Sequence, residues 1–185
     1  MEGARLSIPE YLAFERQAET KSDYLEGEIF AMAGASRQHN RIVLNLALAL
    51  ETQLEERDCE VFTSEMRVRT PTDLFTYPDV VVVCGPARFD DSDLDTLLNP
   101  IVVIEVLSKS TEAYDRVTKL SHYRTIPSLQ EILLVAQDKV NVEQLVRQTG
   151  SEWLFREVAD LELGVELPSI RCALTLRRVY RRVFQ

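Results

Sequence analysis

Glu105 stands inside Pro100-Ile101-Val102-Val103-Ile104-Glu105-Val106-Leu107, a run apolar on both faces, as a central strand covered on both sides requires. An ionised carboxylate buried there without a partner is costly enough that it would take up a proton instead, so a cation or a basic side chain must accompany it. A second acid, Asp79, opens a similar run, Pro78-Asp79-Val80-Val81-Val82-Val83-Cys84. Two acids on adjacent central strands can share one hard divalent cation through oxygen ligands, which suits Mg²⁺, with Mn²⁺ as a substitute. Such an ion polarises a phosphoryl oxygen and lowers the pKa of a bound water. The plainer alternative is a structural Glu105 paired with an arginine and an Asp79 that is a simple loop acid.

A lysine beside that water would orient it or stabilise charge on the phosphate, and Lys109 and Lys119 both follow Glu105. Side chains on one face of a strand repeat every second residue, and the position beside Glu105 is Leu107, so the compact E-x-K spacing is absent. Lys109 shares the face only if the strand continues, about 13 Å along it. Lys119 falls on the helix expected next, where Asp115, Lys119 and Tyr123 share one stripe. Without a site, Asp115 and Lys119 are an exposed ion pair of a few tenths of a kcal/mol.

The elements that must position these groups are legible in outline. Ser7-Ile8-Pro9-Glu10 has the form of a capping box and predicts a short helix from about 8 to 19. Apolar stretches flanking Glu26-Gly27 predict a hairpin, and Ser36 caps a long helix through about 56, with Ile42, Val43, Leu46, Ala47, Leu50 and Leu54 at helical spacing. One or two strands follow from Cys59 to Arg69, then the two acidic strands. Ser108 to Ser110 cap a helix from about 111 to 125, ended by Ile126-Pro127. EILLVA is a further strand, VNVEQLVRQ and EWLFREV a hairpin, and a last helix from about Thr175 carries Leu176, Val179, Tyr180, Val183 and Phe184 on one face. The order implies an α/β sandwich, a central mixed sheet flanked by helices, built by 185 residues as one domain.

Composition narrows the function classes. A net charge of −9 excludes a general DNA-coating role, although bound cations can meet phosphates through their own charge. No apolar run reaches the length of a signal peptide or membrane span, so a cytoplasmic location without membrane contact is expected. Cys59, Cys84 and Cys172 are odd in number and widely spaced, which argues against a disulfide scaffold and a structural zinc. The acidic stretch DDSDLD at 90–95 lacks the central glycine and final glutamate of a calcium loop and is expected to be solvated.

YPDVVVVCG, NPIVVIEVLSKSTEAYDR, Lys119 and YRTIPSLQE together resemble the restriction endonuclease family called Uma-two, a branch of the PD-(D/E)XK nucleases. The resemblance extends back to DYLEGEIFAMAGASRQHNRI and forward to the C-terminal helix. It implies a restriction-endonuclease-like fold, a metal bound by Asp79 and Glu105, and Lys119 as the lysine, displaced onto the helix. It also implies a role for Asp23, where the family usually has Glu. Val117 stands where Gly is common, and Glu65 where Asp is common. His39 matches a histidine of the pattern and is a secondary candidate, as are Lys109 and Asp115; a packing role is the plainer account of a helical histidine. Arg177, Arg178, Arg181 and Arg182 form either a solvated face or a phosphate-binding one.

The expectation is therefore a Mg²⁺-dependent endonuclease with DNA as its substrate, and a homodimer is the expected assembly for cutting both strands. The alternative is a catalytically inactive module that keeps the nuclease fold for binding or assembly.

Overall fold

The computed structural model describes residues 5–32, 34–90 and 92–184. The first helix, α1 (Ile8–Glu15), begins where expected: the Glu10 carboxylate accepts from the Ser7 amide at 2.8 Å and the Ser7 hydroxyl at 2.6 Å. It stops four residues earlier than the pattern suggests. Glu15 turns inward, accepting from the Ser22 amide (2.8 Å) and the Tyr77 hydroxyl (3.0 Å), and this ties the end of α1 to the next strand.

That strand, β1 (Ser22–Leu25), pairs with β2 (Glu28–Ala31) through Glu26 and Gly27, both at positive φ (51° and 91°). Two consecutive positive φ values are what a two-residue hairpin turn demands. A Cβ at Gly27 would also come within 2.7 Å of the Arg5 side chain, so the glycine answers to space as well as to φ.

Helix α2 (Arg37–Leu54) is capped by the Ser36 hydroxyl, which accepts from the His39 amide at 3.0 Å. Beyond it come β3 (Cys59–Thr63), β4 (Arg67–Arg69), β5 (Phe75–Thr76), β6 (Val80–Cys84), β7 (Thr96–Leu97) and β8 (Val102–Leu107). The helical region after β8 has three parts: α3 (Glu112–Tyr114), a π turn over Asp115–Lys119, and α4 (Leu120–Tyr123). Strands β9 (Glu131–Ala136), β10 (Val142–Arg147) and β11 (Trp153–Val158) follow, then the hairpin β12 (Gly164–Leu167) and β13 (Cys172–Thr175), and finally α5 (Leu176–Val179).

Six strands form the central mixed sheet in the order β11-β10-β9-β8-β6-β3, parallel only between β8 and β9. Alternation divides its side chains between two cores. Val80, Val82, Ile104, Val106, Leu133 and Val135 pack on Ile42, Leu46 and Leu50 of α2 and on the C-terminal hairpin. Val81, Val83, Val103, Leu107, Ile132 and Leu134 meet Tyr123, Ile126 and Leu129 on the other face. A second sheet, β2-β1-β5-β4-β7, lies beside the first and packs Tyr24 and Phe75 against Tyr11 of α1.

Several expectations need correction. The helix expected over 111–125 is shortened and interrupted by the π turn. The last helix is a single turn, since the backbone leaves helical geometry at Tyr180 and turns left-handed at Arg182 (φ 61°), and residues 164–175 ahead of it form a hairpin whose strand periodicity the short apolar spacing conceals; Leu176, Val179, Tyr180 and Val183 are nonetheless buried, while Phe184 is exposed. The cysteines do include a disulfide: Cys59 and Cys84 sit directly opposite in the β3–β6 register, with Cα atoms 4.0 Å apart, and are bonded, leaving Cys172 buried and free. Their spacing of 25 carries no hint of that register. Within 90–95 the described acids are ion-paired as well as partly solvated: Asp90 with Arg69, Asp93 with Arg16, and Asp95 with Arg16 and Arg67, while 92–94 remain exposed as expected. Asp91 lies outside the described residues.

Candidate active site

Asp79 precedes β6, and Glu105 lies on β8. Their antiparallel register pairs Val80 with Ile104, so one step along it sets Asp79 opposite Glu105. Residues directly opposite in a sheet share a face. Both acids therefore point to the side occupied by Tyr123, the face opposite the one on which Ile42, Leu46 and Leu50 of α2 pack, while the first turn of α2 still reaches Asp79 through His39. The Val106 amide donates to Asp79 Oδ2 at 2.7 Å, fixing that carboxylate against β8.

Lys119 arrives from the last position of the π turn. The Leu120 amide reaches back five residues to the Asp115 carbonyl, which widens the turn. Lys119 Nζ lies 3.3 Å from Glu105 Oε1, 3.3 Å from Asp115 Oδ1 and 3.7 Å from Asp23 Oδ2. Asp115 is held in turn by the Thr111 hydroxyl, which donates to Oδ2 at 2.8 Å. The Tyr123 hydroxyl donates to Glu105 Oε1 at 2.5 Å.

All of these groups are nearly water-free, and their protonation reflects it. Burial pushes the Glu105 carboxyl up to about 8; the Lys119 charge pulls it down, while Asp115 and Asp79 push it further up. Burial raises Asp23 too, with Lys119 opposing. For Lys119 burial acts downward, but Glu105, Asp23 and Asp115 outweigh it and hold the ammonium well above its ordinary range. Four carboxyl groups thus surround one ammonium among these residues; burial and crowding favour the neutral forms of Glu105 and Asp23, and a further cation would favour their ionised forms.

Asp23, Asp79, Glu105, Asp115 and Lys119 line one cleft of about 1350 Å³. His39, from the first turn of α2, lines it as well, and its Nε2 lies 3.1 Å from Asp79 Oδ2. Lys109 does not join the group. Strand β8 ends at Leu107, and Lys109 is exposed at the cleft wall. The structure therefore gathers Asp79, Glu105, Lys119 and Asp23, together with the secondary candidates Asp115 and His39. Asp115 and Lys119 are a buried pair and not a surface one. Tyr123 is the residue that sequence reasoning left without a role; its place four residues after Lys119, on the stripe with Asp115, was the available signal.

Among the described residues no three His, Cys, Asp or Glu side chains gather into a preformed metal cage. Asp23 Oδ1 is buried without a hydrogen bond of ordinary geometry, with Thr76, Tyr114 and the Tyr77 amide close enough to act on the carboxyl, so it has spare capacity for a cation or its water. The donor set fits Mg²⁺, which is held by one or two carboxylates and completes its shell with water and substrate phosphate, better than it fits a metal needing an all-protein cage.

A family model described as "Putative restriction endonuclease" (Uma2) matches residues 8–177. Two uncharacterized proteins of Synechocystis sp. are similar to the chain: one is 39% identical over 162 residues, covering 87% of this chain and 92% of the relative. The other is 34% identical over 178 residues, covering 96% and 92%. A crystal structure from Anabaena variabilis, described as "a putative nuclease belonging to DUF820", superposes with a TM-score of 0.72 at 19% identity, covering 95% of this chain and 97% of that one. That likeness speaks to the fold. No described helix is long and apolar enough to cross a membrane.

Proposed function

The chain belongs to the Uma2 family of putative restriction endonucleases, and from that premise we propose that it hydrolyses phosphodiester bonds of DNA, with a divalent cation held by Asp79 and Glu105. The observation that carries the proposal is the convergence of Asp79, Glu105, Asp23 and Lys119 in one cleft, with more carboxyl groups than its one ammonium can pair. When bound, Mg²⁺ or Mn²⁺ supplies Lewis acidity toward a phosphate oxygen and a more acidic water.

The chain's own groups do the positioning. Asp79 is oriented by the Val106 amide, which engages Oδ2 and leaves Oδ1 for the cation. Glu105 is fixed through Oε1, which accepts from the Tyr123 hydroxyl and lies 3.3 Å from the Lys119 ammonium. Lys119, clamped by Asp115 through a carboxylate itself held by Thr111, keeps a proton throughout and orients the attacking water or stabilises charge on the phosphate. Asp23 adds a carboxylate from the second sheet to the same ammonium.

A cleavage assay on plasmid and linear duplex DNA, titrated with Mg²⁺ and with Mn²⁺, tests this. Wild-type protein is expected to nick or cut, and Glu105→Gln and Lys119→Met each to lose on the order of 10²-fold or more in rate. Intact DNA at every metal concentration, with Asp79→Ala changing neither metal affinity nor Tm, would establish instead a module that keeps the fold for binding.

A further inference from the structure

The chemistry above leaves unused the arginines at the end of the chain. Arg177, Arg178, Arg181 and Arg182 are all exposed. Arg177 pairs with Glu162, whereas Arg178, Arg181 and Arg182 make no ion pair with any described residue. In a protein of net charge −9, three such cations within five residues form a local exception.

Their placement is what gives them a use. Helix α2 starts at the cleft, where Ser36, Gln38, His39 and Asn40 line it. Arg37, in the middle of those residues, extends its guanidinium to the carbonyls of Arg182 (3.3 Å) and Val183 (3.4 Å). Two turns on, Asn45 Nδ2 donates to the carbonyls of Val179 (2.9 Å) and Arg181 (3.0 Å). The Tyr180 hydroxyl bridges the Ala136 and Asn141 carbonyls (3.0 and 2.7 Å), beside Gln137 and Asp138 of the cleft lining. Segment 179–183 is thus fastened to the rim of the cleft from two sides. Arg41 lies one turn beyond Arg37 on α2 and makes no ion pair among the described residues. Asp138 lies near enough to Tyr180 to act on its hydroxyl, and its neighbour along the chain is Lys139.

Arg182 also has a positive φ of 61°. A left-handed backbone costs an L-residue of this size roughly 1–2 kcal/mol, and glycine or asparagine would relieve it. Strain retained together with charge is the pattern of positions whose function competes with stability.

We infer that Arg178, Arg181 and Arg182, with Arg37 and Arg41, form a docking strip for the phosphate backbone of duplex DNA that runs out of the cleft along the start of α2. The choice of DNA rests on the function proposed above. The strip itself rests on charge complementarity and on its continuity with the cleft wall. It supplies phosphate contacts that the acidic surface elsewhere withholds, and it reads no sequence.

The test measures binding of a fluorescein-labelled duplex by anisotropy in Mg²⁺, on a Glu105→Gln background so that the DNA is not consumed. The variant Arg178→Gln/Arg181→Gln/Arg182→Gln is compared with that parent, and unchanged Tm confirms its fold. Each phosphate contact contributes about 0.9 to the slope of log K against log salt, so losing three flattens the slope by about 2.7. Between roughly 50 and 200 mM salt the parent then loses about 40-fold more affinity than the variant. Arg177→Gln, already neutralised by Glu162, leaves the slope unchanged. In the active protein the triple variant raises KM and spares kcat.

An unchanged slope, a parent that does not bind duplex, or binding to anionic phospholipid vesicles in place of duplex overturns the strip. Wild-type cleavage with an unaltered triple variant removes the strip and leaves the nuclease standing. Loss of binding in a protein that never cleaves does the reverse.

Discussion

Replacing Lys119 by methionine keeps the length and bulk of the side chain and deletes the ammonium that sits 3.3 to 3.7 Å from Glu105, Asp115 and Asp23. Breaking a buried ion pair by removing one partner costs about 3–5 kcal/mol, because the remaining charge stays desolvated. Proton uptake sets a ceiling on that cost. Glu105, already held at about 8 by burial and its acidic neighbours, rises further once the lysine no longer pulls it down. A carboxyl whose folded pKa is raised contributes stability that is fully present below its unfolded value near 4.5 and is lost as pH rises through the folded one. The variant is therefore expected to trail wild type by about 3 kcal/mol at pH 8 in EDTA and by about 1 kcal/mol at pH 5. Mg²⁺ at about a hundred times its Kd should return about 2.7 kcal/mol at the higher pH. Urea titrations at the two pH values, with and without Mg²⁺, measure this. A penalty below about 1 kcal/mol at pH 8, or one that does not change with pH, would refute the assignment of Lys119 as counter-charge to buried carboxylates.

Leu46→Ala, at a fully buried position where α2 meets the central sheet, should cost about 2–5 kcal/mol by urea denaturation, and a smaller loss would mean that α2 does not cover that face. For Asp95 burial acts upward, but hydrogen bonds from Arg16 and Thr96 and the charge of Arg67 outweigh it and hold the carboxyl at about 2. Its contribution is present above its unfolded value near 3.8 and vanishes as pH falls through about 2; with about a third of the side chain in solvent, roughly 1 kcal/mol should disappear there, a step that Asp95→Asn should lack in an acid titration followed by circular dichroism. Removing the cross-strand disulfide by Cys84→Ser should cost up to about 3.5 kcal/mol for a closed loop of this length, and equal stability of the variant and the oxidised wild type would refute that.

Local signals reached far into this fold where a few adjacent residues decide the outcome. Ser36 and its cap, Glu26-Gly27 and its turn, and the two valine-rich runs each carry their own instruction, and each formed as read. Glu105 was legible because an acid among aliphatic residues is an energetic contradiction that calls for a partner. What sequence could not supply was register. Whether Asp79 faces Glu105, whether Cys59 meets Cys84, and whether His39 reaches Asp79 all depend on how one strand or helix slides against another, and a slip of one residue would undo each. The C-terminal hairpin was hidden for a related reason: Val165, Leu167, Cys172 and Leu174 alternate in runs of only four residues, too short to outweigh the helical spacing of the buried residues that follow.

The π turn at 115–119 makes chain length in this helix as consequential as chain chemistry. The widened turn holds Asp115 and Lys119 on the side of Glu105, while Val117, exposed at 71%, points to water and is open to almost any side chain. Because a π turn carries one residue more than α-helical geometry needs, deleting one of Arg116, Val117 or Thr118 can be absorbed by closing the turn. A second deletion, or one in the regular turn that follows, would swing everything beyond it by about 100° about the axis and carry Tyr123 off the carboxylate. Every acid and the lysine would still be present, with the hydroxyl that fixes Glu105 in the wrong place, so this helix is expected to tolerate a change of length at its wide turn and nowhere else.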